Sequence, residues 1–170
     1  ALEETASLTD RFMLDALGRH IERVKPGLIG LSVPFPGNVY GAFRIAKLIK
    51  ERHPGIVVAL GGGYVNTELR RVSDRRVFDY VDFITLDDGE RPLLSILEYL
   101  GGRRPLSGLC RTYYRDHDRV RFVTDPSLRN FSMSELGCPT YQGLALDRYL
   151  SILDSANPMH RLWSEGHWNK

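Results

Sequence analysis

The chain has 170 residues, 42% of them hydrophobic and 26% charged, and its 23 basic and 21 acidic residues leave a formal net charge of +2. That composition suits a globular domain with its own core. The balanced charge argues against a nucleic-acid partner, which needs positive charge gathered on one face, and no apolar run approaches the ~20 residues of a membrane-spanning helix.

In chain order, the first element is a helix from Ser7 to Val24, with Leu8, Phe12, Leu14, Leu17, Ile21 and Val24 at three- and four-residue steps and Lys25-Pro26 as its stop. Gly27 to Val33 is a short apolar run without polar alternation, the pattern of a strand covered on both faces in a parallel sheet. Pro34 and Pro36 end it. Gly37-Asn38 opens a second helix with Ala42, Ile45, Ala46, Leu48 and Ile49 inward and Arg44, Lys47, Lys50, Glu51 and Arg52 outward, closed by Pro54-Gly55. The unit then repeats: strand Ile56–Leu60, turn Gly61-Gly62-Gly63, a short helix from Asn66 to about Arg71, and Val77–Tyr80 leading into strand Val81–Leu86. Asp87-Asp88-Gly89 is the next turn, and Glu90 to Leu100 the next helix, with Leu93, Leu94, Ile96, Leu97 and Leu100 as its apolar positions.

Buried strands alternating with amphipathic helices predict a three-layer α/β fold, a doubly wound parallel sheet of Rossmann-like or flavodoxin-like kind with right-handed crossovers. With three strong parallel strands the sheet reads as incomplete. After Gly101-Gly102 the pattern opens into alternation, Leu109–Arg115 and Val120–Val123 about the turn Asp116-His117-Asp118, which predicts an edge β-hairpin. From Thr124 onward, Pro, Ser, Asn and scattered aromatics predict an irregular C-terminal extension with one short helix near Leu146–Leu153. The domain reading is therefore 1–106 for the sheet domain, 107–124 for the hairpin and 125–170 for a linker. The arginine runs Arg70, Arg71, Arg75, Arg76 and Arg103, Arg104 are broken by acids or turns and read as solvated surface. Cys110 and Cys138 are far apart, in no metal-ligand spacing, and without a signal-peptide pattern the chain is expected to be cytoplasmic.

In an open parallel sheet, ligands bind beyond the carboxyl ends of the strands. Three segments are expected to reach that edge: Ser32-Val33-Pro34-Phe35-Pro36-Gly37-Asn38, Gly61-Gly62-Gly63-Tyr64 and Leu86-Asp87-Asp88-Gly89-Glu90. Glycine there allows close backbone approach and leaves amide N–H groups free to donate, although any βα turn favours the same residue types.

The order of these segments resembles the cobalamin-binding domain that precedes the barrel of B12-type radical S-adenosylmethionine proteins. The resemblance runs from about Pro26 to Leu150. It rests on Pro26 to Val33, Ala46-Lys47-Leu48-Ile49-Lys50, Val57 to Gly63, Val81-Asp82-Phe83-Ile84 and Asp88-Gly89-Glu90-Arg91-Pro92-Leu93-Leu94. Gly108 to Arg115 is similar to the family's hairpin, and Ser134-Glu135-Leu136, Pro139-Thr140-Tyr141 and Leu146 to Leu150 to its linker. The resemblance implies a corrin over the carboxyl edge of the sheet. Its nucleotide tail would run along Ser32, Gly61, Gly62 and Gly63, beside Val33, Pro34 and Tyr64, with Gly89 and Glu90 at the rim. It also implies a radical S-adenosylmethionine barrel further along the same protein as partner, which would hold the 4Fe-4S cluster and S-adenosylmethionine; this stretch is then a cofactor module without catalytic residues of its own.

Three departures accompany the resemblance. No Asp-x-His-x-x-Gly motif supplies a cobalt ligand, Gly63 stands where the family often has proline, and the first strand–helix unit is absent. The sheet edge left open is a surface on which a second copy would pair. His20 and His53 fall at helix ends, His117 in a hairpin turn, and His160 and His167 in the extension, so no metal site is expected. Asp87-Asp88 without its usual partners does not make a phospho-acceptor pocket. Two other readings stand beside the cofactor module: a scaffold that no longer binds cobalamin, and a flavodoxin-type flavin or nucleotide domain. Substrate and reaction are not written in this stretch.

Overall fold

The computed structural model describes residue 2 and residues 4–145. The chain divides into two compact units, Ala1–Phe131 and Ser132–Lys170. In chain order the first contains α1 (Leu8–Val24), β1 (Leu28–Ser32), α2 (Val39–Arg52), β2 (Val57–Gly61), α3 (Gly63–Glu68), β3 (Phe83–Thr85), α4 (Glu90–Leu100), β4 (Thr112–Asp116) and β5 (Arg119–Val123). The described part of the second unit is exposed and built from local turns, such as Ser132 and Glu135, whose carboxylate accepts from the Ser132 N–H and hydroxyl, both at 2.8 Å. The helix expected at 146–153 lies outside the described residues.

Five strands form one mixed sheet in the order β1-β2-β3-β4-β5. β1, β2 and β3 are parallel, with Ser32 opposite Gly61 and Leu60 opposite Ile84, and β4 and β5 run antiparallel to complete the sheet. Helices cover both faces, so the fold is the expected three-layer α/β arrangement. The hairpin read from the sequence as a separate stretch, 107–124, is continuous with the sheet inside the first unit. Among the described residues the strand order does not reverse, and β1 is an edge.

Period-2 alternation divides the core. Val58, Leu60 and Ile84 point to the face where Ile21 of α1, Ala46 and Ile49 of α2 and Val65 of α3 pack. Ala59 and Phe83 point to the other, where Ile96 of α4 and Leu109 close a smaller cluster. α4 therefore covers the β2–β4 part of that second face. Gly30 and Ser32 of β1 stay exposed there.

Two details differ from the sequence pattern. Leu93, Leu97 and Leu100 of α4 are exposed, at 38%, 44% and 43%, whereas Pro92, Ser95 and Ile96 take the sheet side. Arg44, expected outward, is buried. Its Nε donates to the Tyr40 hydroxyl at 2.8 Å, its Nη1 to the Leu2 carbonyl at 3.0 Å and its Nη2 to the Glu4 carbonyl at 2.9 Å. Tyr40 in turn donates to Asp10 Oδ2 at 2.9 Å. Asp10 also completes a capping box, its carboxylate accepting from the Ser7 N–H at 2.9 Å while the Ser7 hydroxyl accepts from the Asp10 N–H at 3.1 Å. Desolvation of the guanidinium is offset because every contact goes to an acceptor. Among the described residues no helix is long and apolar enough to cross a membrane.

Candidate functional site

The carboxyl ends of β1, β2 and β3 lie side by side because Ser32 pairs with Gly61 and the next strand ends at Thr85. Between the uncovered face of β1–β2 and the first turn of α4 runs a crevice of about 450 Å³. Its floor is Gly30, Ala59 and Gly61, its edge is Ser32 and Gly62, and Thr85, Asp87, Gly89, Glu90 and Leu93 form the facing wall and rim. A groove of similar size between α1 and α2 is walled by opposite charges such as Arg19 and Asp15, with His53 Nε2 4.0 Å from Glu22, and none of the residues expected to hold a cofactor reaches it.

Of the residues singled out in the sequence, Ser32, Gly61, Gly62, Gly89 and Glu90 line this crevice. Val33, Pro34, Gly63 and Tyr64 do not. Val33 is buried in the larger core cluster, its N–H donating to the Gly61 carbonyl at 2.7 Å, and Tyr64 packs against that cluster with its N–H on the Val33 carbonyl at 3.0 Å. These four residues stitch the β1 and β2 turns together behind the edge. Gly30, Ala59, Thr85 and Leu93 line the crevice without having been picked out, and Asp87, expected at the edge only as part of the Leu86–Glu90 turn, lines it as well. Two of them carried a signal: Gly30 lies two residues before Ser32 and Ala59 two before Gly61, which in a strand means the same face.

The glycines differ in what requires them. A Cβ on Gly61 would sit 2.8 Å from Thr85 Oγ1, one on Gly62 2.7 Å from the Val33 nitrogen at a φ of +107°, and one on Gly63 3.0 Å from the Pro34 carbonyl oxygen. Close strand and turn packing alone therefore demands the triple glycine. Gly30 and Gly89 meet nothing within 4 Å, so a side chain at either would project into open space. The open space over Gly30, an apolar wall at Leu93 and a polar rim suit an elongated organic group with a polar periphery.

At the rim, Arg70 Nη1 donates to Asp87 Oδ1 at 2.7 Å, which holds the Arg70 guanidinium above its ordinary value through that hydrogen bond and the carboxylate charge. Arg91 instead lies 3.7 Å over the Phe131 ring and donates to the Arg129 carbonyl at 2.9 Å. Cys110 is buried, and burial pushes its thiol up, away from the thiolate that reactivity needs. Cys138 is exposed. His20, His53 and His117 do not line the crevice, and among the described residues no three His, Cys, Asp or Glu side chains gather as a metal site would require. His160 and His167 lie outside the described residues.

Comparison with known proteins points to the same architecture. No family model matches the chain. A protein of Pyrococcus horikoshii named "Uncharacterized methyltransferase PH0819" is 22% identical over 143 residues, 84% of this chain and 30% of the relative. The solved apo structure of OxsB, titled a cobalamin-dependent S-adenosylmethionine radical enzyme, superposes with a TM-score of 0.53 at 21% identity over 65% of this chain and 15% of that one. The likeness is one of fold. The chain spans less than a third of the relative's length and about a sixth of the structural neighbour's.

Proposed function

We propose that this chain is the cobalamin-binding part of a larger radical S-adenosylmethionine enzyme. The observation that carries the reading is the crevice at the carboxyl edge of the sheet, where Gly30 leaves the floor open. Ser32, Gly61 and Gly62 would border the nucleotide tail, Val33, Pro34, Gly63 and Tyr64 would hold that border in place from behind, and Gly89 and Glu90 would meet the corrin at the rim. When bound, cobalamin supplies cobalt-centred group-carrier chemistry. The residues here bind and orient it and keep its tail out of water. S-adenosylmethionine and the iron–sulfur cluster would belong to a barrel further along the same protein. The likeness in fold to OxsB and the match to a named methyltransferase support this reading.

A scaffold without cobalamin is the competing reading, and one observation favours it: the triple glycine is already required by packing. Absorbance titration with hydroxocobalamin decides between them. The proposal expects saturable uptake, with one corrinoid per chain remaining after gel filtration. Absence of uptake returns the chain to a scaffold, and retention of flavin in its place assigns the crevice to a flavodoxin-type ligand.

A further inference from the structure

Asp87 stands at the rim in a setting that its role as a turn residue does not require. Its φ is +62°, a left-handed conformation in which glycine or asparagine is the easier residue. Asn66 clamps its backbone from both sides, accepting from the Asp87 N–H at 2.6 Å and donating to its carbonyl at 3.3 Å. Behind the carboxylate stand two guanidinium groups. Arg70 donates to Oδ1 at 2.7 Å, and Arg111 Nε lies 3.5 Å from Oδ2. Arg111 has a positive φ as well, +42°, its Nη2 donates to Asn130 Oδ1, and its Nε is the one buried side-chain polar atom among the described residues with no hydrogen-bond partner.

This constellation fixes the carboxylate in place, balances its charge from behind and leaves its acceptor capacity largely unspent. An ionised carboxylate offers about four lone-pair sites; here one full hydrogen bond takes one of them, and the side chain is 35% exposed where it lines the crevice. A group held rigid by its neighbours with free acceptor sites is the arrangement of a preorganised recognition residue. Strained backbone persists where surrounding structure over-determines it, and such positions gather at ligand sites. The neighbouring acids are placed differently: Asp88 accepts from Asn130 Nδ2 at 2.5 Å, and Glu90 opens α4 at the exposed rim.

We propose that Asp87 reads the ligand, accepting a hydrogen bond from a primary-amide N–H on the periphery of the corrin. This rests on the cobalamin reading and adds to it the residue and the ligand group. A corrin ring carries uncharged amide side chains around its edge, and a charge-assisted bond from such a donor to a carboxylate is stronger than its neutral counterpart.

The test compares the chain with its Asp87→Asn and Asp87→Gly variants in absorbance titrations with hydroxocobalamin and with cobinamide, which keeps the peripheral amides and lacks the nucleotide. Thermal midpoints are measured alongside. Asparagine keeps the left-handed backbone and an acceptor oxygen and removes the charge; glycine removes strain and carboxylate together. Asp87→Asn is expected to weaken both corrinoids by the same factor, about tenfold, with Asp87→Gly weakening them further, and the asparagine variant is expected to keep the wild-type midpoint. Unchanged affinity in both variants, beside a wild type that binds, overturns this inference and leaves the cobalamin reading intact. Loss confined to hydroxocobalamin also overturns it, because it would put Asp87 on the tail. No uptake by the wild type overturns both.

Discussion

At the residue scale, the crevice separates glycines that packing requires, Gly61 and Gly62, from two that it does not, Gly30 and Gly89. Gly61→Ala would drive a methyl group to within 2.8 Å of the Thr85 hydroxyl, and Thr85 is buried and donates to the Leu60 carbonyl at 3.3 Å. Overpacking of that kind costs about 1–3 kcal/mol, so a drop in urea midpoint is expected with or without ligand. A Cβ at Gly30 meets nothing within 4 Å, and Gly30→Val places a β-branched residue in a strand, where glycine is unfavourable. Its stability in urea is expected to equal or exceed that of the parent by up to ~1 kcal/mol, while hydroxocobalamin uptake is lost because the new side chain occupies the crevice floor. Gly30→Val that binds normally would remove the crevice from the argument. The triple glycine attracted notice in the sequence because glycine runs are conspicuous. Gly30, a single residue inside an apolar run, did not, although its place two residues before Ser32 was sufficient to put it on the same face.

Among the described residues the existence of the expected elements was legible, and the faces were not. The apolar run at Leu28–Ser32 and the period of α2 declared themselves, although β1 is an edge strand with one face open rather than covered on both, and the alternation before and after His117 announced the hairpin. In α4, however, Pro92, Leu93, Leu94, Ile96, Leu97, Tyr99 and Leu100 form a broad apolar arc whose middle is not the side toward the sheet. The choice fell on Pro92, Ser95 and Ile96 because the Ser95 hydroxyl finds the Pro92 carbonyl at 2.7 Å and accepts from the Cys110 N–H at 3.1 Å. Arg44 was placed outward for a comparable reason: its acceptors, Leu2, Glu4 and Tyr40, come from other turns and segments that periodicity cannot see. The α1–α2 network carries a pH signature. Asp10 sits below the ordinary carboxylate value, first through the Ser7 backbone N–H, then the Ser7 and Tyr40 hydroxyls and the Arg44 charge. A folded value below the unfolded one means that stability is fully present above the unfolded value and is lost as pH falls through the folded one. Asp10→Asn is therefore expected to lower the thermal midpoint at neutral pH, with the gap to wild type closing as the solution is acidified below the ordinary carboxylate range. A gap independent of pH would mean that shape rather than charge matters at this position.

At the scale of the molecule, the question is how much of the chain the sheet domain needs. The sequence reading ended that domain at 106 and placed the hairpin at the sheet edge, where β4 pairs with β3 through Phe83–Tyr114, Ile84–Tyr113 and Thr85–Thr112. The connection between β2 and β3 is also strapped to the hairpin, with the Tyr113 hydroxyl donating to the Arg70 carbonyl at 2.6 Å and Arg75 and Arg115 paired with Asp118 and Asp79. Beyond the hairpin, Cys110 Sγ approaches the Leu128 carbonyl at 3.9 Å, Arg111 holds Asn130, and Phe131 lies under Arg91. The first unit closes at Phe131. A chain ended after Phe131 is therefore expected to unfold in one transition, with a midpoint within about 2 °C of the full chain, since every contact named here is kept. A chain ended after Gly108 is expected to lose cooperative folding, because β3, only three residues long, would lose a ladder on one side and Phe83 would lose Tyr114 above it. If the shorter chain melts like the longer one, the hairpin is an accessory to the sheet, and the rim that Arg111 supports through Asp87 is not tied to the stability of the domain.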